Sequence, residues 1–131
     1  MTPAQIVTDF YTALAARDPD RIRELADLGF AEGISAQLPA SLPYGGEVSG
    51  QRRLSKMFQA MARGGAELGP RDLRLTSVID GGETVAARMR FDYARPDGVI
   101  ASSAVEVWSF RDGRATRIEA YYDDTAALVA E

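Results

Sequence analysis

The chain divides by the period of its apolar positions. Ile6, Val7, Phe10 and Leu14 recur at intervals that line one face of a helix. Thr2 stands before them as an N-cap, with Pro3 at the first helical position and Gln5 three residues after the cap. Arg17-Asp18-Pro19-Asp20 interrupts, because the residue before a proline resists helical dihedrals; the same Asp-Pro pair can open the next helix. That helix carries the stripe Ile22, Leu25, Ala26 and ends in residues 29–33, between Gly29 and Gly33. A third is predicted after Ser49-Gly50, with Leu54, Met57, Phe58 and Met61 on one side and a stop at Gly64-Gly65.

From Leu73 the period falls to two. Residues 73–79 lead into the turn Asp80-Gly81-Gly82. Val85, Ala87, Met89, Phe91 and Tyr93 then alternate with Arg88, Arg90 and Asp92. Turns at Arg95-Pro96-Asp97-Gly98 and Arg111-Asp112-Gly113 bound a strand over about 100–110 and a last strand ending near Tyr122. Helices gathered first and hairpin-linked strands afterwards predict an α+β fold with an antiparallel sheet. Residues 32–48 hold Pro39, Pro43 and Tyr44-Gly45-Gly46. They read as a short strand over 34–38 followed by a structured loop across the mouth of the domain, with Tyr44 as a turn residue.

Composition narrows the chemistry. With 131 residues the chain, 1–131, is one domain. It has neither histidine nor cysteine, which removes disulfides, Cys/His zinc sites, a cysteine nucleophile and any Ser-His-Asp triad. Carboxylates, tyrosines, arginines, hydroxyls and amides are left. Fifteen basic residues against nineteen acidic give a net charge of −4, which argues against nucleic acid as a partner. No apolar run approaches the roughly 20 residues of a membrane span. Met1 to Gln5 lacks the marks of a signal peptide, so no membrane partner and a cytoplasmic location are expected. Gly45-Gly46 lacks phosphate-loop or dinucleotide spacing, and no cofactor or metal is expected.

The chain resembles a known superfamily at several places. These are Phe10-Tyr11, the 16–20 joint Ala16-Arg17-Asp18-Pro19-Asp20, the loop 42–50 with Leu42-Pro43-Tyr44-Gly45-Gly46, and the run 105–113 around Val107-Trp108-Ser109, closing at Ala120-Tyr121-Tyr122-Asp123. It is similar to the nuclear-transport-factor-two-like superfamily, in its SnoaL-like and ketosteroid-isomerase-like branch. The resemblance implies a cone: about three N-terminal helices packed on a curved mixed, mostly antiparallel sheet, around a pocket for a small hydrophobic molecule. It places Arg88, Arg90, Asp92, Ser102, Ala104, Glu106 and Trp108 on the pocket face, joined by Ile118, Ala120 and Tyr122, with Phe10 and Leu14 entering from the first helix. Alternation alone allows the opposite reading, in which the polar side of a half-buried strand faces solvent.

The resemblance also implies roles. Against ketosteroid isomerases, the base position matches about Gln37, the tyrosine position Phe10 and the protonated acid Glu106. Against SnoaL-like cyclases, the last-strand aspartate matches Ala120, with Asp123 and Asp124 beyond it. Against limonene-epoxide-hydrolase-like enzymes, Arg90-Phe91-Asp92 matches the Arg and Asp two apart. The expected catalytic set is therefore Arg90, Asp92 and Glu106. The expected substrate-binding set is Phe10, Leu14, Gln37, Arg88, Ser102, Trp108, Ile118 and Tyr122. The expected activity is cofactor-independent acid-base isomerisation, cyclisation or epoxide opening on a polyketide- or terpenoid-like metabolite. The alternative is a non-catalytic ligand-binding or scaffold protein. With Met89, Phe91 and Tyr93 turned outward, a homodimer through the outer sheet face is expected.

Overall fold

The computed structural model describes residues 1–64 and 68–129. Helices α1 (Pro3–Ala15), α2 (Pro19–Gly29) and α3 (Gln51–Arg63) pack on one face of a six-stranded sheet. The strands are β1 (Phe30–Leu38), β2 (Gly46–Ser49), β3 (Gly69–Asp80), β4 (Thr84–Arg95), β5 (Gly98–Arg111) and β6 (Arg114–Tyr122). A short α4 (Thr125–Val129), absent from the sequence reading, follows. Sheet order is β2-β1-β6-β5-β4-β3. Among the described residues only β1 and β6 run parallel, so the sheet is mixed and mostly antiparallel, as expected for this α+β fold.

The local signals act as the sequence predicts. Thr2 and Gln5 form a reciprocal capping box: the Thr2 hydroxyl accepts the Gln5 amide at 3.2 Å, and Gln5 Oε1 accepts the Thr2 amide at 2.8 Å. Asp18 caps α2 by accepting the Arg21 amide at 3.1 Å. Arg17, at φ 57°, turns the chain between them. Gly64 ends α3 in the left-handed conformation. Gly65, paired with it in the predicted stop, lies outside the described residues.

Strand β1 starts directly at the end of α2 and is longer than the predicted 34–38, and residues 46–49 add β2 rather than more loop. Residues 39–45 remain the connection. There, Leu42 donates to Pro39 O at 3.1 Å, Gly45 donates to Leu42 O at 2.8 Å, and the Leu42 side chain is buried. Gly45 is required by space: a Cβ there would sit 2.0 Å from Pro39 O.

The core lies between the helices and the inner sheet face. Trp108, Tyr11, Phe10, Phe30 and Phe91 are its largest fully buried side chains. Phe10 sits at the centre of this aromatic cluster, edge-on to Phe58, Trp108 and Tyr11, with centroids 4.8, 5.1 and 5.4 Å away.

Strand β4 corrects the expected register. Val85, Ala87, Met89, Phe91 and Tyr93 are buried and face the core, while Arg88 and Arg90 are exposed and Asp92 half-buried on the outer face. Cross-strand pairing fixes this, since directly opposed residues share a face. Glu106 pairs with Ala87, Trp108 with Val85, Ala104 with Met89 and Ser102 with Phe91. The expected inward set on β5 is therefore observed, and it belongs with the apolar side of β4. The reason is energetic: burying a Met or Phe side chain stabilises by about 1.5–3 kcal/mol. Moving arginines and an aspartate inward costs several kcal/mol per ion unless each is paired.

Candidate functional site

Strand register sets the inner face out in rungs. The lowest joins Val85, Trp108 and Ile118; the next joins Ala87, Glu106 and Ala120; above it come Met89, Ala104 and Tyr122. Phe91 with Ser102, and then Tyr93 with Ile100, lead to the mouth. Glu106 is thus flanked on both sides by alanines, and the large group that reaches it comes from α1.

That group is Tyr11. Its hydroxyl donates to Glu106 Oε1, and Trp108 Nε1 donates to the Tyr11 oxygen at 2.8 Å. An indole N–H can only donate, so the Tyr11 oxygen must accept from it and direct its own hydrogen to Glu106. The polarity of the chain Trp108 to Tyr11 to Glu106 is fixed by this. All three side chains are buried. Burial pushes the Glu106 carboxyl up from its ordinary value, and the Tyr11 hydrogen bond pulls it back only in part. Burial also pushes the Tyr11 phenol well up, reinforced by the charge of Glu106. The result is a carboxyl biased toward its neutral, proton-donating form beside a phenol that stays protonated.

A second polar group lies nearer the mouth. Tyr44 and Tyr122 hydrogen-bond through their hydroxyls at 3.0 Å, and burial raises the Tyr44 phenol, with Tyr122 and Tyr93 nearby adding to it. Burial raises the Tyr122 phenol, with the Glu106 charge adding to it. A groove of about 450 Å³ opens beside them, lined by Pro43, Tyr93, Arg95 and Leu128 among others. A larger one of about 680 Å³, lined by Gln51, Arg52, Arg53 and Arg114, sits at the opposite end of the sheet, away from Glu106.

The expected site residues separate into two groups. Phe10, Leu14, Ser102, Glu106, Trp108, Ile118 and Tyr122 lie on the inner side. Arg88, Arg90, Asp92 and Gln37 do not. Gln37 pairs with Glu119 on the outer face and donates to its neighbour's carbonyl, Leu38 O, at 3.1 Å. Asp92 makes a 3.7 Å ion pair with Arg74, which lies opposite Arg90 across β3 and β4. Asp92 there offsets two like charges on an exposed surface, where such a pair is worth under about 1 kcal/mol. Among the described residues, no three acidic side chains meet to hold a metal ion.

Tyr11 and Tyr44 were missed by the sequence reading. Tyr11, not Phe10, supplies the phenol beside Glu106. The spacing Val7, Tyr11, Leu14 put it on the buried face of α1. Nothing in the local sequence of Tyr44 signalled its bond to Tyr122, 78 residues away.

The fold and this inner face can be set beside known proteins. The SnoaL-like domain model matches residues 7–118. The chain belongs to the SnoaL-like family. Among solved structures, an NTF2-like protein from Burkholderia thailandensis is 26% identical with a TM-score of 0.78, covering 99% of this chain and 95% of that one. A putative SnoaL-like polyketide cyclase from Mesorhizobium loti has 20% identity and a TM-score of 0.69, covering 93% and 100%. An LEH-like epoxide hydrolase from M. tuberculosis has 16% identity and a TM-score of 0.68, covering 97% and 87%. At these last identities the likeness is one of fold. A search of curated proteins gave no match. Among the described residues, no helix of this SnoaL-like chain is long and apolar enough to cross a membrane.

Proposed function

We propose that this SnoaL-like protein takes a small hydrophobic metabolite into its cone and presents one of its oxygens to Glu106, which Tyr11 holds in place. Neutral Glu106 is then the proton donor in a cofactor-independent isomerisation, cyclisation or epoxide opening. The observation that carries this reading is the buried Glu106 carboxyl, held by a tyrosine whose own hydrogen is committed to it. Neighbours named as a polyketide cyclase and an epoxide hydrolase support the class of reaction. Arg90 and Asp92 have no part in this chemistry, because they lie on the other face of the sheet. The test is a panel of β,γ-unsaturated polycyclic ketones, poly-β-ketones and aliphatic epoxides, with Glu106→Gln as the comparison. Turnover in one class, lost at least roughly 100-fold in a folded Glu106→Gln protein, supports the acid role. Equal turnover by the variant refutes it.

A second reading, non-catalytic binding, is favoured by a specific observation. Among the described residues, Glu106 is the only carboxyl in the buried set; Asp92 and Gln37 face outward, and Ala120 stands beside the acid. The same panel separates the two readings, since binding without turnover selects the second. For assembly we retain a homodimer through the outer sheet face. Its support is now Val105, Val107 and Tyr121, neighbours on that face, with Tyr121 58% exposed. Sedimentation of Val107→Glu against the parent chain tests it, with dissociation expected.

A further inference from the structure

Building on the interior reading above, we infer that the groove beside residues 39–45 and α4 is the vestibule of the Glu106 site. Tyr44 closes it, and Tyr122, once released, takes up a second oxygen of the ligand. Tyr93 links the groove to these tyrosines: it lines the groove, and its phenol lies close enough to that of Tyr44 to help raise it. Tyr44 in turn holds Tyr122, whose ring packs against Phe91 at 5.3 Å on the inner face. Tyr122 and Glu106 stand on adjacent rungs. At about 3.4 Å per residue, two residues along a strand separate those rungs by roughly 7 Å.

The closing elements are light. The 39–45 connection is seated by one buried leucine, Leu42, by the partly buried Tyr44 and by turn hydrogen bonds. Helix α4 has five residues, one buried side chain in Leu128, and a 2.8 Å bond from Arg95 to Ala127 O. Segments with so little buried apolar surface open far more readily than the core. The bond that opening breaks is replaceable: a phenol both donates and accepts, so a ligand hydroxyl or carbonyl can take the place of the Tyr44 hydroxyl on Tyr122. The ligand class follows from these two groups: it is a largely apolar molecule with two oxygens, one for Glu106 and one for Tyr122 on the adjacent rung.

Trp108, the sole tryptophan, reports on the site directly. Its fluorescence is titrated with 2-naphthol and with naphthalene-2,6-diol in the parent protein, Tyr122→Phe, Tyr44→Phe and Glu106→Gln. Acrylamide quenching and melting temperature are measured alongside. The diol should bind roughly 10-fold more tightly than 2-naphthol, the effect of one added hydrogen bond. Tyr122→Phe should erase that ratio. Tyr44→Phe should raise the quenching rate constant at least roughly twofold at a little-changed melting temperature, as loss of a closing contact requires. If 2-naphthol binds in a Glu106-dependent way but the diol ratio survives Tyr122→Phe, the second-oxygen assignment is overturned and the interior reading stands. Unchanged quenching in Tyr44→Phe overturns the gate. If neither phenol binds, the inference and the interior reading fall together.

Discussion

Replacing Tyr11 with Phe removes one oxygen and disturbs two buried partners. Trp108 Nε1 loses its acceptor, and Glu106 Oε1 loses its donor, in a region where water does not take over. Leaving a buried polar group without a partner costs about 1–3 kcal/mol, so the two together should cost about 2–6 kcal/mol. For a domain of this size 1 kcal/mol shifts the melting temperature by about 3–4 °C, so a fall of about 6–24 °C is expected. The loss must depend on pH. The Tyr11 hydrogen bond lowers the Glu106 pKa, so Tyr11→Phe raises that pKa further above its unfolded value. The variant therefore keeps the carboxyl's stabilising proton at low pH and pays more than the parent as pH rises. Denaturant unfolding at about pH 4 and about pH 8 measures both parts, each further unit of pKa shift adding about 1.4 kcal/mol at the higher pH. A loss under about 1 kcal/mol, or the same loss at both pH values, refutes the hydrogen-bond chain as described.

Three other outcomes follow from the same structure. Because the folded Glu106 pKa lies above its unfolded value, its contribution to stability is full below about 4.5 and is lost as pH rises through the folded pKa; Glu106→Gln should remove that slope in unfolding titrations. Gly45→Ala should destabilise by about 2 kcal/mol or more, because its Cβ would meet the backbone oxygen of Pro39 and the loop cannot yield without moving Leu42; thermal melting checks this. Arg90→Ala and Asp92→Asn should each change stability by about 0.5 kcal/mol or less and leave turnover and ligand binding unaltered, read by melting and by the substrate panel.

The sequence made the elements visible but left the phase of one strand open. Caps at Thr2 and Asp18, the αL stop at Gly64 and the turns between strands are short-range chemistry, and each holds. On β5, Ser102, Glu106 and Trp108 lie inward as the resemblance implied. On β4 the register implied by the resemblance turned Arg88, Arg90 and Asp92 inward against the hydrophobic pattern of the same strand, and the hydrophobic pattern prevails. Period two means that choosing the wrong face moves every side chain across the sheet, so Arg88, Arg90 and Asp92 left the site together. Residue-level pattern could not supply the long-range pairs. Tyr11 meets Glu106 across 95 positions and Tyr44 meets Tyr122 across 78, and only the packing of α1 and the 39–45 connection on the sheet creates them.

The loss of Asp92 from the interior changes which chemistry the remaining groups support. Two carboxyls with opposed pKa values can divide acid and base work; one cannot do both in the same step. Glu106, biased to its neutral form, can donate a proton or a hydrogen bond but cannot abstract one until it has given its own away. Tyr11 cannot serve as the base either, because burial and the nearby carboxyl hold its phenol well above the ordinary range. If Glu106 is the proposed donor, the substrates best matched to it are those that need charge stabilised on oxygen more than a proton removed from carbon. An epoxide opened by protonation, or an enol or phenol that arrives already ionised, meets that requirement. Donors fixed in a dry site are most effective where negative charge grows on one oxygen, and in the Trp108–Tyr11–Glu106 chain the Glu106 proton is the one left to donate there. A reaction that begins by taking a proton from carbon would need its base from the ligand itself or from water admitted past Tyr44.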